Sequence, residues 1–324
     1  MKKGYRIGID LGGTHIAAGL VDPARRLADR LSVKTNAPRP VAGVAADMAD
    51  LVRALLERNR LTREDILSVG VGVPGTANEA NGHIEDADNL GYRDEPFVSV
   101  LEEKLGLPVR FANDANAAAW GEYLAGGYEA DSLVMVTLGT GIGGGIILNG
   151  KLWTGANFAA GEFGHMAIRA GDRDCNCGRR GCFESYGSAT ALIRRARERM
   201  AEDRDTALWR LCGGDAKRLE ARTVFDGAAL GDGACRDLLD EYTTALAEGF
   251  ANIINILQPA YLCVGGGVSR AGEPLLAALR EKTAGKIYSR NAKRNTKIVL
   301  ARLDNDAGIL GAALLGETKG ESVE

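Results

Sequence analysis

The chain has 324 residues, 45% hydrophobic and 26% charged with 8 prolines, a globular composition whose length suits two domains of ordinary size. A formal net charge of −3 leaves no surplus of positive charge for nucleic-acid phosphates or an anionic membrane surface, so neither is an expected partner. Met1 to Asp10 lacks the apolar body of a signal peptide, and no run of roughly 18 uncharged apolar residues is present, so the expected location is cytoplasmic.

In chain order, Tyr5 to Asp22 reads as strand, tight Gly-rich turn and strand, with Gly12-Gly13-Thr14 at the bend. Val41, Val44, Ala45, Met48, Leu51, Val52 and Leu55 recur at helical spacing, and a buried strand follows over Ile66 to Val73, ended by Pro74-Gly75. A helix is expected from Asp114 to a stop at Gly126-Gly127. Ser132 to Trp153 then repeats the opening pattern around Gly139-Thr140-Gly141, the one internal echo. Beyond it come helices from Ser188 to about Met200 and from about Ala234 to Leu257, then a strand from Tyr261 to Val264 running into Gly265-Gly266-Gly267. A helix near Gly272 to Lys282, a strand from Lys297 to Leu303 and a last helix from about Asp306 to Leu315 complete the chain. Strands alternating with helices indicate an α/β fold, and the hairpins within it indicate mixed sheets.

Asp10-Leu11-Gly12-Gly13-Thr14 combines a carboxylate at a strand end, glycines that let backbone approach a ligand, and a hydroxyl, the parts that hold Mg²⁺ and a polyphosphate. Alone it is equally a plain hairpin turn. Paired with Gly139 to Gly145, it suggests two phosphate-cradling bends on the tail of an ATP. Gly70-Val71-Gly72-Val73-Pro74-Gly75 matches a dinucleotide pattern as text, but Pro74 and the polar run to Gly82 deny it the helix that pattern must open. No G-x-x-x-x-G-K-[ST] segment is present.

Three of the six cysteines, Cys175, Cys177 and Cys182, lie within eight residues, and His165 precedes them. Three thiolates and one imidazole, threaded through Gly171, Gly178 and Gly181, suit a closed tetrahedral structural Zn²⁺. Glu162 and Glu184 flank that loop. Each alone reads as a surface acid, but on a metal-pinned loop each can accept hydrogen bonds from sugar hydroxyls. Asn113 and Asp114 stand where a strand ends and a helix starts. They are ordinary helix caps or, for Asp114, a base for an attacking hydroxyl.

Together, Asp10 to Thr14, Gly72 to Gly75, Asn113 to Asn116, Gly139 to Gly145, Gly161 to His165, Cys175 to Cys182 and Gly265 to Gly267 resemble the ROK family of bacterial sugar kinases and sugar-responsive repressors. The resemblance implies a two-lobed fold of the actin-like ATPase class (ribonuclease H-like, hexokinase type) with a cleft between lobes. It divides the chain into a small lobe of residues 1–114 plus a C-terminal helix at about 304–324, and a large lobe of 115–303 carrying the zinc loop and a dimerisation surface.

The implied activity is ATP-dependent phosphorylation of the 6-hydroxyl of a free hexose, with Asp114 as base. Gly75, Asn89, Asn113, Glu162, His165 and Glu184 would line the sugar pocket, although Asp88 stands where many members carry proline before the asparagine. Gly12, Gly13, Thr14, Gly139, Thr140 and Gly141 would hold phosphates, Asp10 Mg²⁺, and Gly265, Gly266 and Gly267 the nucleoside. Homodimers or homotetramers are implied. Within the family, Cys182 to Thr190 and the complete metal loop are most similar to the glucokinases. Kinases of N-acetylglucosamine, N-acetylmannosamine, fructose or allose share most of these residues. Repressor members carry a DNA-binding segment before the first glycine motif, and here nine residues precede Asp10.

Overall fold

The opening strand places a glycine where a helix must lie flat against it. A Cβ on Gly8 would stand 1.8 Å from the Ile309 carbonyl oxygen, so only a bare backbone admits the C-terminal helix here. The computed structural model describes residues 4–319. Residues 1–3 and 320–324, which the expected small lobe includes, lie outside the described residues.

The first sheet contains β1 (Tyr5–Leu11), β2 (His15–Val21), β3 (Leu27–Lys34), β4 (Ile66–Val73) and, after a small sheet of β5 (Thr76–Asn78), β6 (His83–Ala87) and β7 (Tyr92–Glu95), β8 (Val109–Asn113). Its order is β3-β2-β1-β4-β8. The β1–β2–β3 pairs are antiparallel, whereas β1, β4 and β8 run parallel. The second sheet, ordered β11-β10-β9-β12-β13, comprises β9 (Leu133–Leu138), β10 (Ile142–Leu148), β11 (Lys151–Leu152), β12 (Tyr261–Gly265) and β13 (Lys297–Leu300). Both sheets thus follow one plan, third-second-first-fourth-fifth in chain order. The echo legible in the two hairpins extends to whole sheets.

Helix α1 (Val41–Arg58) buries Val41, Val44, Ala45, Met48, Leu51, Val52 and Leu55, the stripe its spacing implied, in the core of Ile7, Ile9, Leu11, Val69 and Val71. Truncating one such leucine costs about 2–5 kcal/mol. Helix α2 (Phe97–Leu105) adds Phe97 and Leu101 to the same core. Helix α3 (Asp114–Ala125) follows β8 directly. Downstream come α4 (Glu184–Gly187), α5 (Ala189–Glu202), α6 (Ala207–Leu211), α7 (Ala221–Ala229), α8 (Gly233–Leu257), α9 (Glu273–Ala284) and α10 (Ala307–Ala313). The last strand and helix are shorter than the expected Lys297 to Leu303 and Asp306 to Leu315, and a 3₁₀ segment at Asp304–Asp306 lies between them.

The chain divides into two units, Met1–Leu133 with Gly145–Gly161 and Arg302–Glu324, and Val134–Gly144 with Glu162–Ala301. Among the described residues, no helix is long and apolar enough to cross a membrane.

Candidate active site

In the first unit, the carboxyl ends of three parallel strands converge. Asp10 pairs in register with Gly72, Gly72 with Ala112, and Val73 with Asn113. Two strand spacings therefore separate Asp10 from the start of α3, about 10 Å. Open α/β sheets bind ligands at such an edge. Asn113 caps α3: its side-chain oxygen accepts from the Ala115 and Asn116 amides at 2.9 and 3.2 Å, and its amide donates to the Gly75 carbonyl at 3.0 Å. The cap takes the side-chain oxygen and one amide hydrogen, which is compatible with the ligand role expected of Asn113. Asp114 is half-buried as the first helical residue, and its carboxylate accepts from the Ala115 amide at 2.7 Å.

Burial raises the Asp10 carboxyl above the usual carboxylate range. A cation at that oxygen would offset the desolvation, so the donor suits Mg²⁺. The bend beside it is braced by Thr35, whose hydroxyl donates to the Gly12 carbonyl at 2.6 Å and whose amide donates to the Thr14 carbonyl at 2.9 Å. Thr35 is fully buried. The exposed Asn89 packs against the same bend, so that a Cβ on Gly13 would lie 3.3 Å from the Asn89 Cβ.

In the second unit, the bend at Gly139, Thr140 and Gly141 closes through the Gly139 amide donating to the Gly141 carbonyl at 3.0 Å. The start of α5 supports it: the Ala189 amide donates to the Gly139 carbonyl at 2.8 Å and the Thr190 hydroxyl to the Thr140 carbonyl at 2.7 Å. Gly266, at φ +81°, would place a Cβ 2.5 Å from the Leu138 carbonyl oxygen. The triple glycine is thus pressed against the strand end that opens the Gly139–Gly141 bend, with Gly265 closing β12 and Gly267 beginning the next turn.

Glu184 joins that bend to the cysteine loop. Its carboxylate accepts from the Ile142 amide at 2.8 Å, and a Cβ on Gly141 would meet the same oxygen at 2.3 Å. In the loop itself the four candidate ligand atoms of His165, Cys175, Cys177 and Cys182 lie within 4.8 Å of one another. His165 Nδ1 is 3.6 Å from Cys175 Sγ, and Cys177 Sγ is 3.7 Å from Cys182 Sγ. A tetrahedron with metal–sulfur distances of about 2.3 Å has edges of about 3.8 Å, so the donor set fits Zn²⁺.

Positive φ at Gly171, Gly178 and Gly181 turns this loop, as its composition implied. The Arg179 backbone N–H lowers the Cys177 thiol to about 7, whereas burial raises Cys182 to about 12. A bound divalent metal deprotonates its thiol ligands outright. His165 turns its other nitrogen, Nε2, toward Glu162 at 3.9 Å. Partial burial raises the Glu162 carboxyl, with His165 opposing and Glu184 adding to the shift.

The expected residues thus fall into two sets. Asp10, Gly12, Gly13, Thr14, Gly75, Asn89, Asn113 and Asp114 belong to the first unit, and those from Gly139 to Gly141, Glu162, His165, Glu184 and Gly265 to Gly267 to the second. Sequence reasoning missed Thr35, Thr190 and Glu122. Glu122 is fully buried and accepts from the Tyr128 hydroxyl at 2.7 Å and the Arg302 and Leu303 amides at 2.6 and 3.1 Å. It pins the chain just ahead of α10, whose Gly308 stands against Asp10. A glutamate on a helix reads as a surface acid, and nothing local marks it otherwise.

Two mixed sheets of identical strand plan, each bearing a glycine bend between its first two strands, define a protein of the actin-like ATPase class. The chain matches the ROK family over residues 6–319 and belongs to that family. It is similar to a glucokinase of Halalkalibacterium halodurans, 35% identical over a 326-residue alignment covering 100% of this chain and 98% of that protein. It is also similar to the crystal structure of a ROK family glucokinase from Streptomyces griseus in complex with glucose and AMPPNP. There the identity is 35%, the TM-score is 0.83, and 96% of this chain and 99% of that one are covered. An N-acetylmannosamine kinase of Salmonella newport is 32% identical over 314 residues, 96% of this chain and 98% of that protein.

Proposed function

We propose that this protein is an ATP-dependent hexose kinase that transfers a phosphoryl group to the 6-hydroxyl of glucose. The observation that carries the proposal is the shared edge of the first sheet: an acid suited to Mg²⁺ at Asp10, a braced glycine bend, and a second acid, Asp114, two strands away. The full-length similarity to glucokinases, one of them bound to glucose and AMPPNP, supports the choice of substrates.

Phosphoryl transfer asks the protein mainly for positioning and charge stabilisation. Gly12, Gly13, Thr14, Gly139, Thr140 and Gly141 would hold the phosphates and Gly265 to Gly267 the nucleoside. Mg²⁺, held at Asp10, would supply positive charge to the phosphate oxygens. Asp114 takes the proton of the attacking 6-hydroxyl. Its place as the first residue of α3 aims the partial positive charge of the helix N-terminus at its carboxylate. Gly75, Asn89, Asn113, Glu162, His165 and Glu184 orient the remaining hydroxyls. Zn²⁺ on His165, Cys175, Cys177 and Cys182 is structural, since four protein ligands leave no position for water. His165 would offer Nδ1, the nitrogen beside Cys175 Sγ, to the metal, with Nε2 turned toward Glu162.

Purified protein with Mg·ATP should release ADP with glucose, at a higher kcat/KM than with fructose, allose, N-acetylglucosamine or N-acetylmannosamine. ADP release with none of these hexoses would refute kinase activity, and preference for an acetylated sugar would move the assignment to that kinase class, as the Salmonella relative allows. A cytoplasmic homodimer or homotetramer completes the proposal, with light scattering as its check.

A further inference from the structure

Behind the cysteine loop, within the second unit, three arginines converge on a small cavity. Arg169, Arg173 and Arg195 line it together with Tyr186, Tyr242 and Glu241. The guanidinium carbons of Arg169 and Arg173 lie 5.3 and 4.6 Å from the centre of the Tyr186 ring. Among the described residues neither forms a carboxylate ion pair. Arg195 does, to Glu198 and to Glu241, so the one lining carboxylate is already held.

Two buried polar atoms here have no partner: the Tyr186 hydroxyl and Arg195 Nε. Tyr186 is 5% exposed, whereas the Tyr242 hydroxyl is satisfied by the Gly187 carbonyl at 2.8 Å. Nε can only donate and the hydroxyl can donate, so what is missing is an acceptor. Orphaned buried donors beside uncompensated guanidiniums suit an oxyanion. The cavity measures about 30 Å³. One water needs roughly 10–15 Å³ on that measure, so the space admits an ion of phosphate size.

We infer that this pocket binds a free tetrahedral oxyanion, inorganic phosphate or sulfate, on Arg169, Arg173, Arg195 and the Tyr186 hydroxyl. The site backs onto the proposed sugar pocket. Arg173 and Arg194 both donate to the Ser185 carbonyl, at 3.5 and 2.8 Å, and Ser185 follows Glu184.

Calorimetric titration of the zinc-loaded protein with inorganic phosphate tests the inference, with Mg·AMPPNP and glucose present so that the proposed nucleotide bends are filled. Tyr186→Phe, which keeps the ring, should weaken binding about tenfold, and Arg169→Gln, an exposed residue, by at least as much. Absence of phosphate binding, or binding unchanged from the parent protein in both variants, would overturn the inference. None of these outcomes bears on kinase activity, which the ADP-release assay reads separately.

Discussion

Glu184 accepts a hydrogen bond from the Ile142 amide at 2.8 Å, so a carboxylate assigned to the sugar is anchored to the bend assigned to phosphate. Both belong to the second unit, so the contact links the two proposed roles within it. Gly141 is bare because the same carboxylate oxygen occupies the space of its side chain.

Gly141→Ala should therefore disturb the sugar as well as the nucleotide. The added methyl must displace Glu184, and the glucose KM should rise about tenfold, the cost of misplacing one hydrogen bond to a charged group. Steady-state kinetics varying each substrate in turn reads this directly. A rise confined to the ATP KM would show that the contact does not couple the two.

Thr35→Val makes the complementary case in the first unit. The exchange preserves shape but removes the hydroxyl that donates to the Gly12 carbonyl, while the Thr35 amide still bonds Thr14. Loss of about 1 kcal/mol in bracing should raise the ATP KM about fivefold and leave the glucose KM within twofold. An unchanged ATP KM would mean that the bend needs no such support.

Removal of the metal should act on the sugar rather than on ATP. Elemental analysis is expected to give one zinc per chain, lost on chelation or in Cys177→Ser. The glucose Kd should then weaken at least tenfold, because Glu162, His165 and Glu184 all adjoin the loop, while AMPPNP binding persists. Zinc-free protein with unaltered glucose affinity would contradict the structural role.

Much of this is legible in the sequence, for reasons particular to each element. Ile66 to Val73 is apolar except for Ser68 and is ended by Pro74-Gly75, and it forms a strand with those limits. The two glycine bends announced themselves because each lies between short apolar strands. Strand β3, Leu27–Lys34, escaped because an edge strand carrying Asp29, Arg30 and Lys34 has no continuous apolar face. β6 and β7 escaped similarly, as HIEDA and YRDE read as polar loop. The bracing residues Thr35, Thr190 and Glu122 act through partners remote in sequence, up to 181 positions away for Glu122 and Leu303. No local pattern encodes such a pair.

Glu122 offers a test of stability separate from chemistry. Its buried carboxylate satisfies a hydroxyl and two backbone amides, so Glu122→Gln turns one acceptor into a donor facing another donor. The expected loss is about 2–4 kcal/mol. Urea denaturation should show a lower midpoint with an unchanged slope. A midpoint within error of the parent would mean that the approach to α10 is held otherwise.

The base assignment is tested most directly by Asp114→Asn, an exchange that keeps an oxygen for the Ala115 amide and removes only proton affinity. Turnover with glucose and Mg·ATP should fall by about 10²–10⁴-fold, the usual worth of a positioned general base, while the glucose Kd stays within about threefold. Full turnover in that variant would contradict the account.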